Sequence, residues 1–214
     1  MQVKGFEIEG LVKVDNARVY GLDESIIASG YPMQTYTVDL DLLEMLDEEI
    51  ITKKDLKRVK HLGNAVPGSG HDCFLKGIIV QFDLQVPEYI WRQLDRYHFI
   101  DYVSSQSKMH RILKIDLDKA CNKYVLDSTK ETLKNLIDTY NRETNDLGKK
   151  ELFNHIIANT PSGLMLTARM TTNYLQLKSI INQRSNHKMQ EWRYLCDWFK
   201  ALPMFEELVC KSRC

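Results

Sequence analysis

A strand that hands over to a helix is written between Ile78 and His98. Ile78-Ile79-Val80-Gln81-Phe82 is a short apolar run of strand length, and Pro87 follows where it suits the first turn of a helix, its missing N–H being no loss there. The helix then carries Trp91-Arg92-Gln93-Leu94-Asp95-Arg96-Tyr97-His98. Gln93 and Arg96 stand three apart and share one predicted face, so an amide and a guanidinium reach out together from the junction. Such a pair suits a phosphate or a pyrimidine. Taken alone, Arg92 and Arg96 read more simply as surface cations with packed stems.

Around this junction the pattern alternates between short strands and helices. Val3–Glu9, Leu11–Val14 and Arg18–Tyr20 read as extended segments, and Gly30-Tyr31-Pro32 forces a turn. Asp39–Asp47 and Thr52–Leu62 carry apolar residues at helical intervals, with Thr52 placed to cap the second and Asp55 three residues on. Ser128–Tyr140 and Lys149–Asn159 are predicted helices joined by the polar Asn141–Gly148 connection. Leu164–Cys196 reads as helical with a break near Ser185-Asn186, where Asn186 caps a second helix from His187. Trp192, Leu195, Trp198 and Phe199 recur at helical intervals, as a core stripe or an oligomer contact.

Composition excludes several functions. With 29 basic and 29 acidic residues the chain has no overall field to draw it to nucleic acid or to an anionic membrane surface, so any anion site is local. No apolar run has the length of a membrane helix and the N-terminal residues lack a signal-peptide core, so a cytoplasmic location is expected. At 214 residues, one domain over 1–214 is expected. Five cysteines, an odd number without a CxxC pair, read as reduced thiols rather than a disulfide framework or a zinc site. Cys73 adjoins His71-Asp72, yet a lone cysteine is more commonly a small buried residue than a nucleophile. Gly68-Ser69-Gly70 offers backbone N–H groups to a phosphate but lacks the following Lys-Ser/Thr of a P-loop.

Four windows, in order, resemble the flavin-dependent thymidylate synthases. Gly21-Leu22-Asp23-Glu24-Ser25-Ile26-Ile27-Ala28-Ser29 is similar to that family's Asp-Glu-Ala-Val-Val segment, and Gly70-His71-Asp72 to its Gly-His-Glu segment. Arg92, Gln93 and Arg96 fall on its Arg-Gln-x-x-Arg-His-Arg run. Thr171-x-Asn173 and Arg184 fall on a family helix whose Asn contacts flavin and whose Arg holds nucleotide. The resemblance implies an α/β (α+β) fold with a mixed sheet flanked by helices, FAD as cofactor, and NADPH and methylene-tetrahydrofolate as co-substrates in the reductive methylation of deoxyuridine monophosphate. It implies a homotetramer whose sites are shared between subunits. On this reading His71, Arg96, His98 and Asn173 line the flavin site, while Gln93, Ser107, Lys108 and Arg184 hold the nucleotide.

The chain also departs from the family. Tyr97 and His98 stand where the family has His and Arg, and gapless alignment puts Asp101, Val103, Ser104, Gln106 and Lys108 on its Ser, Asn, Glu, Ser and Arg. A one-residue slip instead brings Ser107 to the second serine, so two registers stay open for this loop. Val103 offers neither the donor nor the acceptor of an asparagine. The alternative is therefore a non-catalytic protein on the same scaffold that sequesters or senses a nucleotide, and a protein built purely for assembly is the third possibility.

Overall fold

The computed structural model describes residues 1–35, 51–66 and 68–209. The helix expected over Asp39–Asp47 and the tail cysteines Cys210 and Cys214 lie outside the described residues. Among the described residues six strands form one sheet: β1 (Gln2–Val3), β2 (Phe6–Ile8), β3 (Val12–Tyr20), β4 (Ile79–Pro87), β5 (Ile100–Ser105) and β6 (Met165–Asn173). Their order is β1-β3-β4-β6-β5, with β2 also on β3. The expectation of an α/β (α+β) fold with helices flanking a sheet holds. The sheet is not mixed, however: each described pairing is antiparallel.

β4 is the spine. It pairs with β6 without interruption from Ile79↔Asn173 to Pro87↔Met165. Val80, Phe82, Leu84 and Val86 are buried, while the residues between them are half-buried, as a strand's twofold periodicity requires. The buried face packs on the helix Gln190–Lys200, with the Phe82 ring centroid 5.2 Å from that of Trp198 and 6.2 Å from that of Phe199. The stripe Trp192, Leu195, Trp198 and Phe199 is thus core. Each such aromatic contributes on the order of 3–5 kcal/mol, the usual cost of truncating one to alanine. A second cluster, Leu133, Ile137 and Ile156 with Ile112 and Leu164, lies where the hairpin of helices Asp127–Arg142 and Asp146–Ala158 packs.

Two expectations need correction. Residues 165–173, expected as helix, are β6: Met165, Ala168, Met170 and Thr172 are buried, and hydrogen bonding to β4 and β5 on either side outweighs the local helical reading. The last long helix begins not at His187 under an Asn186 cap but at Gln190, preceded by Met189, because residues 185–189 form a turn in which the Met189 N–H donates to His187 Nδ1 at 3.1 Å. Thr52 does cap its helix, Lys53–Gly63: Thr52 Oγ1 accepts from the Asp55 N–H at 3.2 Å, and the Asp55 carboxylate accepts from the Thr52 N–H at 3.0 Å. Cys73 is exposed rather than buried, whereas Cys121 and Cys196 are buried, and all three are free thiols. Burial pushes the Cys196 thiol up to about 11, which keeps it protonated at neutral pH.

Candidate functional site

At one end of β4 and β6 a cleft of about 750 Å3 opens between the loop after Gly68 and the helix Tyr174–Arg184. Asn173 ends β6 and caps that helix, its side chain accepting from the Gln176 N–H at 2.9 Å. The helix then presents Gln176, Ser179, Asn182 and Gln183 to the cleft. On the opposite side Gly68 and Gly70 hold φ of 85° and 78°, with nothing among the described residues within 4 Å of where a Cβ would stand. Those two positions need glycine for the turn and leave the backbone open to a ligand.

The cleft is fixed from beneath by a buried ion pair. Lys178 Nζ donates to Asp72 Oδ2 at 2.7 Å and to the Gly63 carbonyl at 2.7 Å. One ammonium therefore ties the cleft helix to the Gly70–Asp72 loop and to the end of the helix Lys53–Gly63. Gly63 is required there, because a Cβ would come within 1.8 Å of the Leu208 carbonyl oxygen.

A second constellation adjoins the first through Gln183. Arg184 Nε donates to the Tyr97 hydroxyl at 2.7 Å, and the Tyr97 O–H donates to Gln183 Oε1 at 3.1 Å. The Arg184 guanidinium carbon lies 4.8 Å from the Trp192 ring centroid and 5.5 Å from that of Tyr97. Gln93 Oε1 accepts from Trp192 Nε1 at 2.9 Å and from Arg184 Nη1 at 3.4 Å. The helix Glu88–Leu94 that carries Gln93 is anchored on both sides: Trp91 Nε1 donates to the Leu166 carbonyl at 3.2 Å, and the Tyr89 hydroxyl donates to the buried carboxylate of Glu191. Burial and, next, the Arg184 charge hold the His187 imidazole below its ordinary pKa. The two rings, 6.0 Å apart and at 61° to each other, flank this half-buried guanidinium, a group whose fork suits a planar or bidentate anion.

No family model and no curated protein matches this sequence. Solved structures do. The flavin-dependent thymidylate synthase ThyX from Helicobacter pylori, complexed with FAD and dUMP, superposes with a TM-score of 0.61 at 13% identity, covering 90% of this chain and 97% of that one. A second structure of that enzyme with the same two ligands gives 0.63 at 13% identity, over 89% and 93% of the two chains. The UMP/dUMP methylase PolB from Streptomyces cacaoi, bound with 5-Br dUMP, gives 0.62 at 12% identity, over 95% and 94%. The chain has the flavin-dependent thymidylate synthase fold.

On this ThyX-like fold the residues singled out in the sequence are not all brought together. Gln93 and Arg184 meet in one hydrogen-bonded network, and Asn173 lines the cleft. His71 is exposed on the loop beside Asp72, its N–H 3.5 Å from Ser69 Oγ. Arg96 and His98 are exposed, beyond the end of the helix Glu88–Leu94 rather than on it, so Gln93 and Arg96 do not share a helical face. Pro87 likewise precedes the first helical residue. Ser107 precedes the short turn Lys108–Arg111 without capping it, and Lys108 Nζ lies 3.3 Å and 3.4 Å from the two Glu88 carboxylate oxygens.

Sequence reasoning passed over Tyr97, Phe99, Gln176, Asn182 and Lys178. Tyr97 was visible only as a departure from a motif, yet it orients Arg184. Gln176 and Asn182 precede and follow Ser179 by three residues, a spacing that marks one side of a helix once its start at Tyr174 is known. Among the described residues no helix is long and apolar enough to cross a membrane.

Proposed function

We propose that this protein binds FAD and a pyrimidine nucleotide and catalyses reductive methylation of deoxyuridine monophosphate, as a cytoplasmic homotetramer. Methylene-tetrahydrofolate would supply the carbon and NADPH the reducing equivalents; bound flavin supplies the hydride chemistry. The observation that carries this reading is Arg184, clasped by Gln93, Tyr97 and Trp192 next to a cleft of about 750 Å3. That volume lies within the roughly 300–1,000 Å3 of small-molecule sites. The cleft's open glycine backbone and side-chain amides fit the polar edge of a flavin.

In this proposal Asn173 and His71 border the flavin, with Arg96 and His98 reaching it from the surface. Gln93 and Arg184 hold the nucleotide, Arg184 taking the anionic group and the Gln93 amide the base. Ser107 and Lys108 complete the nucleotide side once Lys108 exchanges Glu88 for the ligand. The protein's part is positioning and charge stabilisation rather than covalent chemistry.

The Lys108–Glu88 pair also supports the second reading, a non-catalytic nucleotide binder, because a lysine already neutralised by a carboxylate is less free to hold a phosphate. Flavin reduction by NADPH, followed by reoxidation that depends on deoxyuridine monophosphate and methylene-tetrahydrofolate, separates the two. Turnover supports the enzyme; tight nucleotide binding without flavin uptake supports the binder.

A further inference from the structure

Glu191 stands in the first turn of the helix Gln190–Lys200 and is 1% exposed. Its Oε1 accepts from the Tyr89 hydroxyl, while its Oε2 is buried with no hydrogen-bond partner among the described residues. Burying a polar group that is only half satisfied costs stability, so packing alone does not account for a carboxylate here. Asn122, also buried, donates Nδ2 to the same Tyr89 oxygen at 2.9 Å, which leaves the hydroxyl proton to Glu191. Burial and, next, the bond to Glu191 hold the Tyr89 hydroxyl above its ordinary pKa, so it remains a donor.

The next residue, Trp192, donates Nε1 to Gln93 Oε1 at 2.9 Å, and Gln93 Nε2 donates to the Tyr89 carbonyl at 3.2 Å. Two successive residues of one helix thus grip Tyr89 and Gln93, which lie about one turn apart on the helix Glu88–Leu94. Arg184 Nη1 reaches the same Gln93 oxygen at 3.4 Å. With its oxygen engaged twice and one N–H spent on Tyr89, the half-buried Gln93 amide has a fixed orientation and a single N–H left over.

We infer that Glu191 is a positioning residue of the nucleotide site: through the Tyr89 hydroxyl it sets the helix Glu88–Leu94 so that the remaining Gln93 N–H faces the nucleotide. Glu191 itself touches no ligand. What faces that N–H must accept a hydrogen bond, as a pyrimidine carbonyl does. The inference rests on the nucleotide reading given above and is independent of whether flavin binds.

Calorimetric titration of the full chain with deoxyuridine monophosphate tests it. Glu191→Leu is expected to weaken binding about tenfold, the scale of one hydrogen bond put out of place. Glu191→Gln, which keeps an oxygen for the Tyr89 hydroxyl, should restore the parent affinity, and Tyr89→Phe, which removes the same contact from the other side, should match Glu191→Leu. The deciding comparison is a cycle with Gln93→Ala. If Glu191 acts through Gln93, adding Glu191→Leu to Gln93→Ala costs no further affinity, whereas a residue that merely supports the fold gives losses that add. Additive losses, or parent affinity in Glu191→Leu, overturn the inference and leave the nucleotide reading standing. A parent chain that does not bind the nucleotide overturns both.

Discussion

Arg184 Nε donates to the Tyr97 hydroxyl at 2.7 Å, across 87 positions of sequence. Tyr97 passes that bond on to Gln183 and so links the guanidinium to the cleft wall. A residue that reads as a lost histidine in a motif is, in the folded chain, the group that aims the arginine.

Arg184→Ala should weaken deoxyuridine monophosphate binding by about 1.5–3 kcal/mol, the range for a hydrogen bond to a charged group. Arg184→Lys should rescue little of it, since a point charge cannot reproduce a planar fork packed beside two rings. Calorimetric titration of the three proteins measures the effect, and equal affinities would remove Arg184 from the site.

Lys178→Met should destabilise the fold by about 3–5 kcal/mol, because it leaves Asp72 buried without its partner. Combining it with Asp72→Asn should recover part of the loss, as residues in one ion pair do not behave additively. Chemical denaturation of the single and double variants reads this directly; a single variant as stable as the parent would contradict it.

Gly63→Ala should fail differently, since its Cβ would meet the Leu208 carbonyl oxygen at 1.8 Å. The helices Lys53–Gly63 and Phe205–Val209 must then separate, taking the Lys178 anchor with them. We expect a loss of about 1–3 kcal/mol, typical of overpacking, together with faster proteolysis near residue 205. Unaltered stability would show that the contact relaxes freely.

His187 gives the pH dependence. Its folded pKa is lowered, so its neutral form is favoured by folding, and the unfolded chain takes up the proton first. The stabilisation is complete above the unfolded value of about 6.5 and is lost as pH falls from there through the lower folded value. His187→Gln should therefore flatten the fall in melting temperature over that interval, and an identical slope in parent and variant would sink the assignment.

The sequence and the structure agree best where one local signal is enough. Thr52 with Asp55 wrote a capping box, and Ile79–Phe82 wrote the start of a strand, with a helix beginning just after Pro87 rather than at it. β6 was illegible because Met165–Asn173 mixes residues acceptable to a helix, and only pairing with β4 and β5 makes it a strand. The two registers left open for the loop around Ser107 have a visible counterpart. β5 carries one extra residue at Val103, between Tyr102↔Met170 and Ser104↔Arg169, so spacing along the chain and spacing along the sheet differ by one there. Gln93 and Arg184, singled out in the sequence, meet in one hydrogen-bonded network, whereas Gln176, Asn182 and Phe99 become visible only through the cleft they share.

The most direct test of the account is a titration of the full chain with FAD followed by visible absorbance, repeated in the presence of deoxyuridine monophosphate. Saturable uptake of flavin with a shifted absorption band, tightened by the nucleotide and weakened in Arg184→Ala, is the predicted result. An unshifted spectrum at saturating FAD, with or without the nucleotide, would contradict the proposed flavin chemistry on this fold.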